Sequence, residues 1–524
     1  MANASLAAPN LCTTATFSTP DLFGANFTSL SANLVTNYTF PIPDGWRYSQ
    51  PSIFVQDATF CNVTVSYTHP GQNDTLYAET WLPITNYNDR LQSIGGGGWV
   101  AGRFILTYAG MIGAIADGYA TVTTDAGLGS KTFDQWGISS PGNTNVYALQ
   151  NLGSVSLKDE AVIAKHFIQD FYGEKPKYSY WNGCSQGGRQ GSMIAQRYPD
   201  AYDGIIAAAP ALHWAEVVLG SMWPGFYMEN TKQFPNACQL NGLTALAIEE
   251  CDQDDGMKDG LIADPDACLR KFNATAHIGK ISTYNCTLYD GTQTIDAATA
   301  DVARALWTGP VSSSGKKLWY GYNIGTDLYS LAATNCTSLG QCSGNAYSVT
   351  AGIDETFVAK GGPINITDDN VSHKRFDHVY HSFKQQFDSL IGTTDPDYTG
   401  FKESGGKIIT YHGLADPTIS PNGTLSFYRK ISATVPDTPS FYRYFNVPGL
   451  GHCWGGKGGQ PVALFDQLRA WVENGTAPDS SPVTMTKPDG EKMEQVLCAW
   501  PKKAVFGNGC DVNGNVTTAC WSCE

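Results

Sequence analysis

No run of eighteen or more apolar residues occurs anywhere in the 524-residue chain, so no membrane-spanning helix is expected. Basic residues are scarce: 33 Lys and Arg stand against 48 Asp and Glu, a net charge of −15. That balance argues against nucleic acid and anionic membrane surfaces as partners. There is no His-Glu-x-x-His and no paired-cysteine zinc spacing, so the common zinc-site patterns are missing. His166 and the group His373, His378 and His381 accordingly read as packing or surface residues rather than ligands. Internal repeats and low-complexity tracts are absent as well, which excludes a solenoid.

What is present favours a large folded core, since 42% of residues are hydrophobic and 12% aromatic. The length accommodates one large domain with a sizeable insertion, or two to three domains. Fourteen cysteines suggest disulfides and an oxidising compartment. Thirteen Asn-x-Ser/Thr triplets, headed by Asn3, Asn26, Asn37, Asn62, Asn73, Asn273, Asn285, Asn335, Asn365, Asn370, Asn422, Asn474 and Asn515, agree with a glycosylated, secreted protein. The start, Met1-Ala2-Asn3, has neither a basic segment nor an apolar run and reads as a mature sequence whose signal peptide has been removed.

Residues 1–75 are rich in Thr, Asn and Ser and predict a β-rich N-terminal extension, whose two cysteines, Cys12 and Cys61, are expected to pair. From Leu76 the pattern alternates. Strands are predicted at Gly118–Thr124, Tyr178–Asn182 and Gly204–Ala209, with helices at Asp159–Phe171 and Gly191–Arg197. This βαβα rhythm through residue 212 implies a mostly parallel sheet covered by helices, an α/β fold. Residues 213–395, with six cysteines and five glycosylation triplets, break the rhythm and read as an inserted lid. The sheet domain resumes over 396–524, with strands at Lys407–Tyr411 and Phe441–Asn446 and a helix at Ala463–Val472.

The chemistry concentrates in Gly183-Cys184-Ser185-Gln186-Gly187, a Gly-x-Ser-x-Gly pentapeptide between a predicted strand and helix. That pattern places a nucleophilic serine on a tight strand-to-helix turn. Asp416 follows the strand ending at Tyr411, and His452 follows the one ending at Asn446, on a glycine-bracketed turn. The order Ser185, Asp416, His452 is the one an α/β-hydrolase carries. His452 is expected to take the Ser185 proton while Asp416 orients its ring. If Ser185 and His452 meet, their neighbours Cys184 and Cys453 come within bridging distance. Backbone N–H groups of Gln186 and of Gly97 or Gly98, within the run Gly95–Gly98, are candidates for the oxyanion hole; a flexible glycine loop is the alternative.

Four carboxylates lie within Asp252-Gln253-Asp254-Asp255-Gly256-Met257-Lys258-Asp259, between Cys251 and Cys268. They suit a hard cation such as calcium, or else a solvated acidic turn stapled by those cysteines. Ala263 stands where an EF-hand needs a bidentate glutamate, so the loop is not one. Trp214, Trp223, Phe226 and Tyr227 either sandwich an aromatic ring of a ligand or form ordinary lid core.

At Cys184-Ser185, Asp416 and His452-Cys453 the chain resembles the tannase/feruloyl esterase family of secreted microbial carboxylesterases, with a likeness extending from about residue 50 onward. The resemblance implies an α/β-hydrolase core with a lid that holds the acyl group, and a disulfide joining the two cysteines beneath the triad. It also implies structural calcium in the lid, bound by Asp252, Asp255 and Asp259 with the carbonyls of Met257 and Leu261, and no organic cofactor. The activity expected is hydrolysis of phenolic-acid esters, most of all feruloyl esters of plant cell-wall polysaccharides. Galloyl ester hydrolysis is the alternative within the class, a serine peptidase is less favoured, and a catalytically silent binding protein is the alternative outside it.

Overall fold

The computed structural model describes all residues except 1–8, 283–292, 338–340, 345–351, 363–371, 488–489, 508 and 513. Three strands rich in Thr, Val and aromatic residues open the chain: β1 (Asn26–Ile42), β2 (Ile53–Thr68) and β3 (Leu76–Pro83). They pair antiparallel in sequence, β2 meeting β3 from Phe60↔Pro83 to Tyr67↔Leu76. The N-terminal segment is thus the edge of the main sheet, and a Cys12–Cys61 disulfide pins its leading end to β2.

Parallel pairing takes over from there. β4 (Arg90–Ile94) leads through α1 (Ile105–Ala116) to β5 (Ala120–Thr124), which sits between β3 and β4. α2 (Ser156–Tyr172), β6 (Tyr178–Cys184), α3 (Gln186–Arg197) and β7 (Gly204–Ala208) continue the alternation. The lid helices follow: α4 (Trp214–Ser221), α5 (Trp223–Thr231), α6 (Ala237–Cys251), α7 (Ala297–Thr308) and α8 (His373–Ile391). β8 (Lys407–Gly413), α9 (Pro421–Thr434), β9 (Tyr442–Val447) and α10 (Leu464–Asn474) then complete the core. The resulting nine-stranded sheet has the order β1-β2-β3-β5-β4-β6-β7-β8-β9. The chain leaves the sheet after β7 and returns at β8 about two hundred residues later, so the insert interrupts the sheet domain.

Central parallel strands are buried on both faces, and their side chains alternate between two cores. Trp181, Ile205 and Ile408 belong to one apolar cluster. Tyr180, Ile206 and Ile409, each one residue away, belong to the other. Two further cores involve the insert: one shared with the first part of the core, around Trp99, Trp214, Phe357 and Phe383, and one around Leu240, Leu243 and Leu306. α8 faces the first with Phe376, Val379, Tyr380, Phe383 and Phe387, a helical stripe.

α3 starts at Gln186, five residues before the predicted helix. Gly187, Gly188 and Gly191 weaken helix propensity, and tertiary packing overrides it. A Cβ at Gly188 would lie 2.3 Å from the Ala208 carbonyl oxygen, and one at Gly191 would lie 2.8 Å from the Trp181 ring. The glycines are there so that α3 can press onto β6 and β7. Among the described residues no helix is long and apolar enough to cross a membrane.

Candidate active site

β6 delivers Ser185 to the C-terminal edge of the sheet with φ 63° and ψ −121°, a backbone state that non-glycine residues rarely hold. The turn is locked by the Ser185 N–H donating to the Ala208 carbonyl at 3.0 Å. Its tightness needs the flanking glycine: a Cβ at Gly183 would come within 2.5 Å of the Gly187 backbone. His452 arrives on the loop after β9, with Nε2 2.9 Å from Ser185 Oγ and Nδ1 2.8 Å from Asp416 Oδ2. Asp416, in the turn after β8, is fully buried. Its Oδ1 accepts the Thr418 and Ile419 backbone N–H groups at 2.7 and 2.9 Å, and Oδ2 also accepts His412 Nε2 at 3.0 Å. Burial pushes the Asp416 carboxyl up, but the charge of His452 and hydrogen bonds from His412 and His452 outweigh it. The group is held well below the usual carboxylate range.

Cys184 and Cys453, one beside each partner of the Ser185–His452 bond, are joined as a disulfide with Cα atoms 5.9 Å apart. The Cys453 carbonyl is fixed in turn by the Tyr411 hydroxyl and Gln460 Nε2, each donating at 3.0 Å. The histidine turn is therefore anchored covalently on one side and by hydrogen bonds on the other.

The four-glycine loop lies against the start of α3, since a Cβ at Gly187 would be 2.9 Å from the Gly96 carbonyl oxygen. Most of its N–H groups are committed: Gly95 to Asn182 O, Gly96 to Gln190 Oε1 and Gly97 to Val100 O. Of the predicted donors, the amides of Gln186 and Gly98 make no hydrogen bond to any described residue, whereas that of Gly97 is taken. Arg189, fully buried, donates to Gln186 Oε1 at 2.6 Å and to the Gly153 and Leu152 carbonyls. Burial, with Arg197 nearby, lowers its guanidinium to about 9.

The lid aromatics divide. Trp214 joins the cluster around Trp99, whose ring it meets edge-on at 5.0 Å, and Trp223 is buried with its Nε1 donating to the Ala305 carbonyl. Phe226, half-buried, stacks on Phe376 at 4.7 Å, and Tyr227 packs against Trp223. For Trp223, Phe226 and Tyr227 these contacts are lid packing. His166 bonds Ser18 Oγ at 2.9 Å and His373 bonds the Val311 carbonyl at 2.7 Å, both structural contacts.

In the acidic loop, Asp252 Oδ1 gathers the N–H groups of Asp259, Gly260 and Leu261. Asp255 Oδ1 accepts the Met257 N–H at 3.0 Å, and Asp254 turns outward to Lys271. Asp259 Oδ2 is buried without a hydrogen-bond partner. Burial, then the charges of Asp255 and Asp252, push this carboxyl up to about 8. Among the described residues no three His, Cys, Asp or Glu side chains converge as a ready metal cage. A site using Met257 and Leu261 carbonyls alongside these carboxylates fits the orphaned oxygen and needs closer approach of the side chains. Cys251 and Cys268 are bonded across the loop.

Sequence reasoning gave no role to His412, although His412-Gly413-Leu414-Ala415-Asp416 sets it four residues from Asp416. It also missed Gln190, whose amide bridges Gly96 N and Ala101 O. The available signal was position: both lie within one helical or turn repeat of a predicted site residue.

A family model described as "Tannase and feruloyl esterase" matches residues 61–520. A probable feruloyl esterase of Arthroderma benhamiae is 33% identical over 451 residues, covering 84% of this chain and 82% of that protein. A tannase of Aspergillus oryzae is 27% identical, covering 85% and 83% respectively. Among solved structures, a tannin acyl hydrolase from Aspergillus niger superposes with a TM-score of 0.86 at 27% identity, covering 99% of this chain and 95% of that one. The fold is that of an α/β-hydrolase, and the chain belongs to the tannase and feruloyl esterase family of carboxylic ester hydrolases.

Proposed function

We propose that the protein is a secreted, glycosylated serine esterase that hydrolyses esters of phenolic acids, foremost feruloyl esters of plant cell-wall polysaccharides. The observation that carries the mechanism is His452 standing between Ser185 Oγ and Asp416 Oδ2 at 2.9 and 2.8 Å. His452 Nε2 removes the Ser185 proton as Oγ attacks the ester carbonyl. The negative charge on the carbonyl oxygen is met by the Gln186 and Gly98 amides, and His452 returns its proton to the departing alcohol. Water, deprotonated by the same ring, then releases the phenolic acid from Ser185. Trp214 packs edge-on against Trp99, the residue after Gly98, and that contact favours it among the four lid aromatics for flanking the acyl ring.

Galloyl ester hydrolysis is the second reading, supported by the 0.86 TM-score to a tannin acyl hydrolase. Initial rates on methyl ferulate, methyl p-coumarate and methyl gallate, with Ser185→Ala as control, decide between the two. Faster cinnamate turnover that Ser185→Ala reduces at least about 1,000-fold supports the feruloyl reading. Gallate preference replaces it with the tannase reading, and equal turnover by the variant removes Ser185 as nucleophile.

Structural calcium at Asp252, Asp255 and Asp259, with the Met257 and Leu261 carbonyls, belongs to the same proposal. The unpartnered Asp259 Oδ2 among like charges supports it. Its role would be to order the lid, with no part in the acyl transfer. Glycosylation is supported by exposed Asn26, Asn37, Asn73, Asn273, Asn335, Asn474 and Asn515. Asn62 and Asn422 instead use their amides internally, on Glu79 and Asn323. Asn3, Asn285, Asn365 and Asn370 lie outside the described residues.

A further inference from the structure

Asp416 Oδ2 is shared by two imidazoles. His452 Nδ1 reaches it at 2.8 Å and His412 Nε2 at 3.0 Å. His412 is the next-to-last residue of β8 and is fully buried. Its Nε2 faces two acceptors, Asp416 Oδ2 and the Ile419 carbonyl oxygen at 3.1 Å, so Nε2 must carry a hydrogen. Its Nδ1 lies 2.9 Å from the buried Thr424 hydroxyl, which can donate to it. The Nε2–H tautomer thereby satisfies every polar atom of the ring, with the Thr424 hydroxyl donating to Nδ1. With the Thr418 and Ile419 amides on Oδ1, Asp416 accepts four hydrogen bonds and has no freedom to rotate.

We propose that His412 is a positioning residue, one that orients Asp416 and, by occupying part of Oδ2, tempers the pull of that carboxylate on the His452 proton. The proposal rests on the triad reading above. A carboxylate relieved of one donor is a stronger acceptor for its remaining partner, so without His412 the His452 ring should hold its proton to higher pH. The ionisable groups facing Asp416 are His412 and His452; Tyr411, whose hydroxyl goes to the Cys453 carbonyl, is next out.

The rate at which a fluorophosphonate labels Ser185 reads the free base directly and requires no knowledge of the natural ester. Measured from pH 5 to 9, His412→Leu should move the acid limb of the labelling rate upward by about one pH unit. The rate near pH 6 should then fall about tenfold. His412→Gln, which keeps an N–H donor near the Nε2 position, should restore both to near the native profile. An unmoved limb in His412→Leu, or a glutamine variant no better than leucine, overturns the proposal. Nitrogen NMR of the native protein with labelled histidine is an independent check that needs no variant to fold. At about pH 8 the hydrogen of the His412 ring is expected on Nε2. The Nδ1–H tautomer overturns it. Native protein that no fluorophosphonate labels at Ser185 overturns the triad reading itself, an outcome distinct from a failure at His412.

Discussion

Two histidines in this protein differ in what each ring nitrogen meets, and that difference separates a structural cation from a proton carrier. His452 has a carboxylate on Nδ1 and a hydroxyl on Nε2, so a proton can arrive and leave. His69 has carboxylates on both sides, Asp74 Oδ2 at 2.7 Å and Asp159 Oδ2 at 3.1 Å. The Asp159 hydrogen bond, aided by Asp74 and opposed by burial, raises His69 from 6.5 to about 9. Because the folded value lies above the unfolded one, the stabilisation is complete below about 6.5 and is lost as pH rises through 9. His69→Gln should therefore lower Tm by about 2 °C or more at pH 6, and the gap to the native protein should close by pH 10. Calorimetry at pH 6, 8 and 10 reads this out, and a gap independent of pH would show that His69 acts by packing alone.

At the scale of elements, the parts of the site that follow from strand ends were legible, and those that follow from packing were not. Ser185, Asp416 and His452 each lie just past a parallel strand, and apolar five- to seven-residue runs announce such strands in sequence. The start of α3 was illegible because three glycines serve helix–sheet contact there. The choice between Gly97 and Gly98 was equally hidden, since it turns on which amide the Val100 carbonyl accepts. The lid was visible only as a break in rhythm, and its acidic loop shows why: ligand chemistry is written in composition, convergence in tertiary structure. That loop closes α6, and Met257 and Leu261 anchor it in an apolar cluster with Met485, Met493 and Trp521. Calcium there should tie the lid to the C-terminal hairpin β10 (Ser480–Thr486) and β11 (Lys492–Cys498). Exchange of about 1 mM EDTA for calcium at 100-fold its dissociation constant should add about 2.7 kcal/mol of stability, seen as a higher Tm. Asp259→Asn, which leaves the site one carboxylate ligand short, should lose most of that increment. A Tm that ignores both EDTA and calcium would return the loop to a disulfide-stapled acidic turn.

Across the whole molecule, the first and last parts of the core are tied twice, by non-covalent packing and by one covalent bond at the site. The β6–β7–β8–β9 pairing crosses the lid insertion. Far from the site, Glu473 on α10 accepts Arg90 Nε and the Tyr180 hydroxyl, each at 2.7 Å. A Cys184–Cys453 bridge with a sequence separation of 269 would by loop entropy alone contribute about 5 kcal/mol. Those other ties already restrict the same loop, so the part left to the bridge is smaller. Its position carries more weight than its entropy, because it fixes the backbone next to both Ser185 and His452. Joint replacement of Cys184 and Cys453 by alanine should thus leave a folded protein with a modestly lowered Tm and kcat reduced about 100-fold, the cost of a base displaced by about 1 Å. Both sulfurs are buried, so reductant must await local opening, and activity should fall with the opening rate while far-UV circular dichroism stays native. If activity and secondary structure disappear together at one reductant dose, the bridge is holding the fold as a whole and the positioning argument fails.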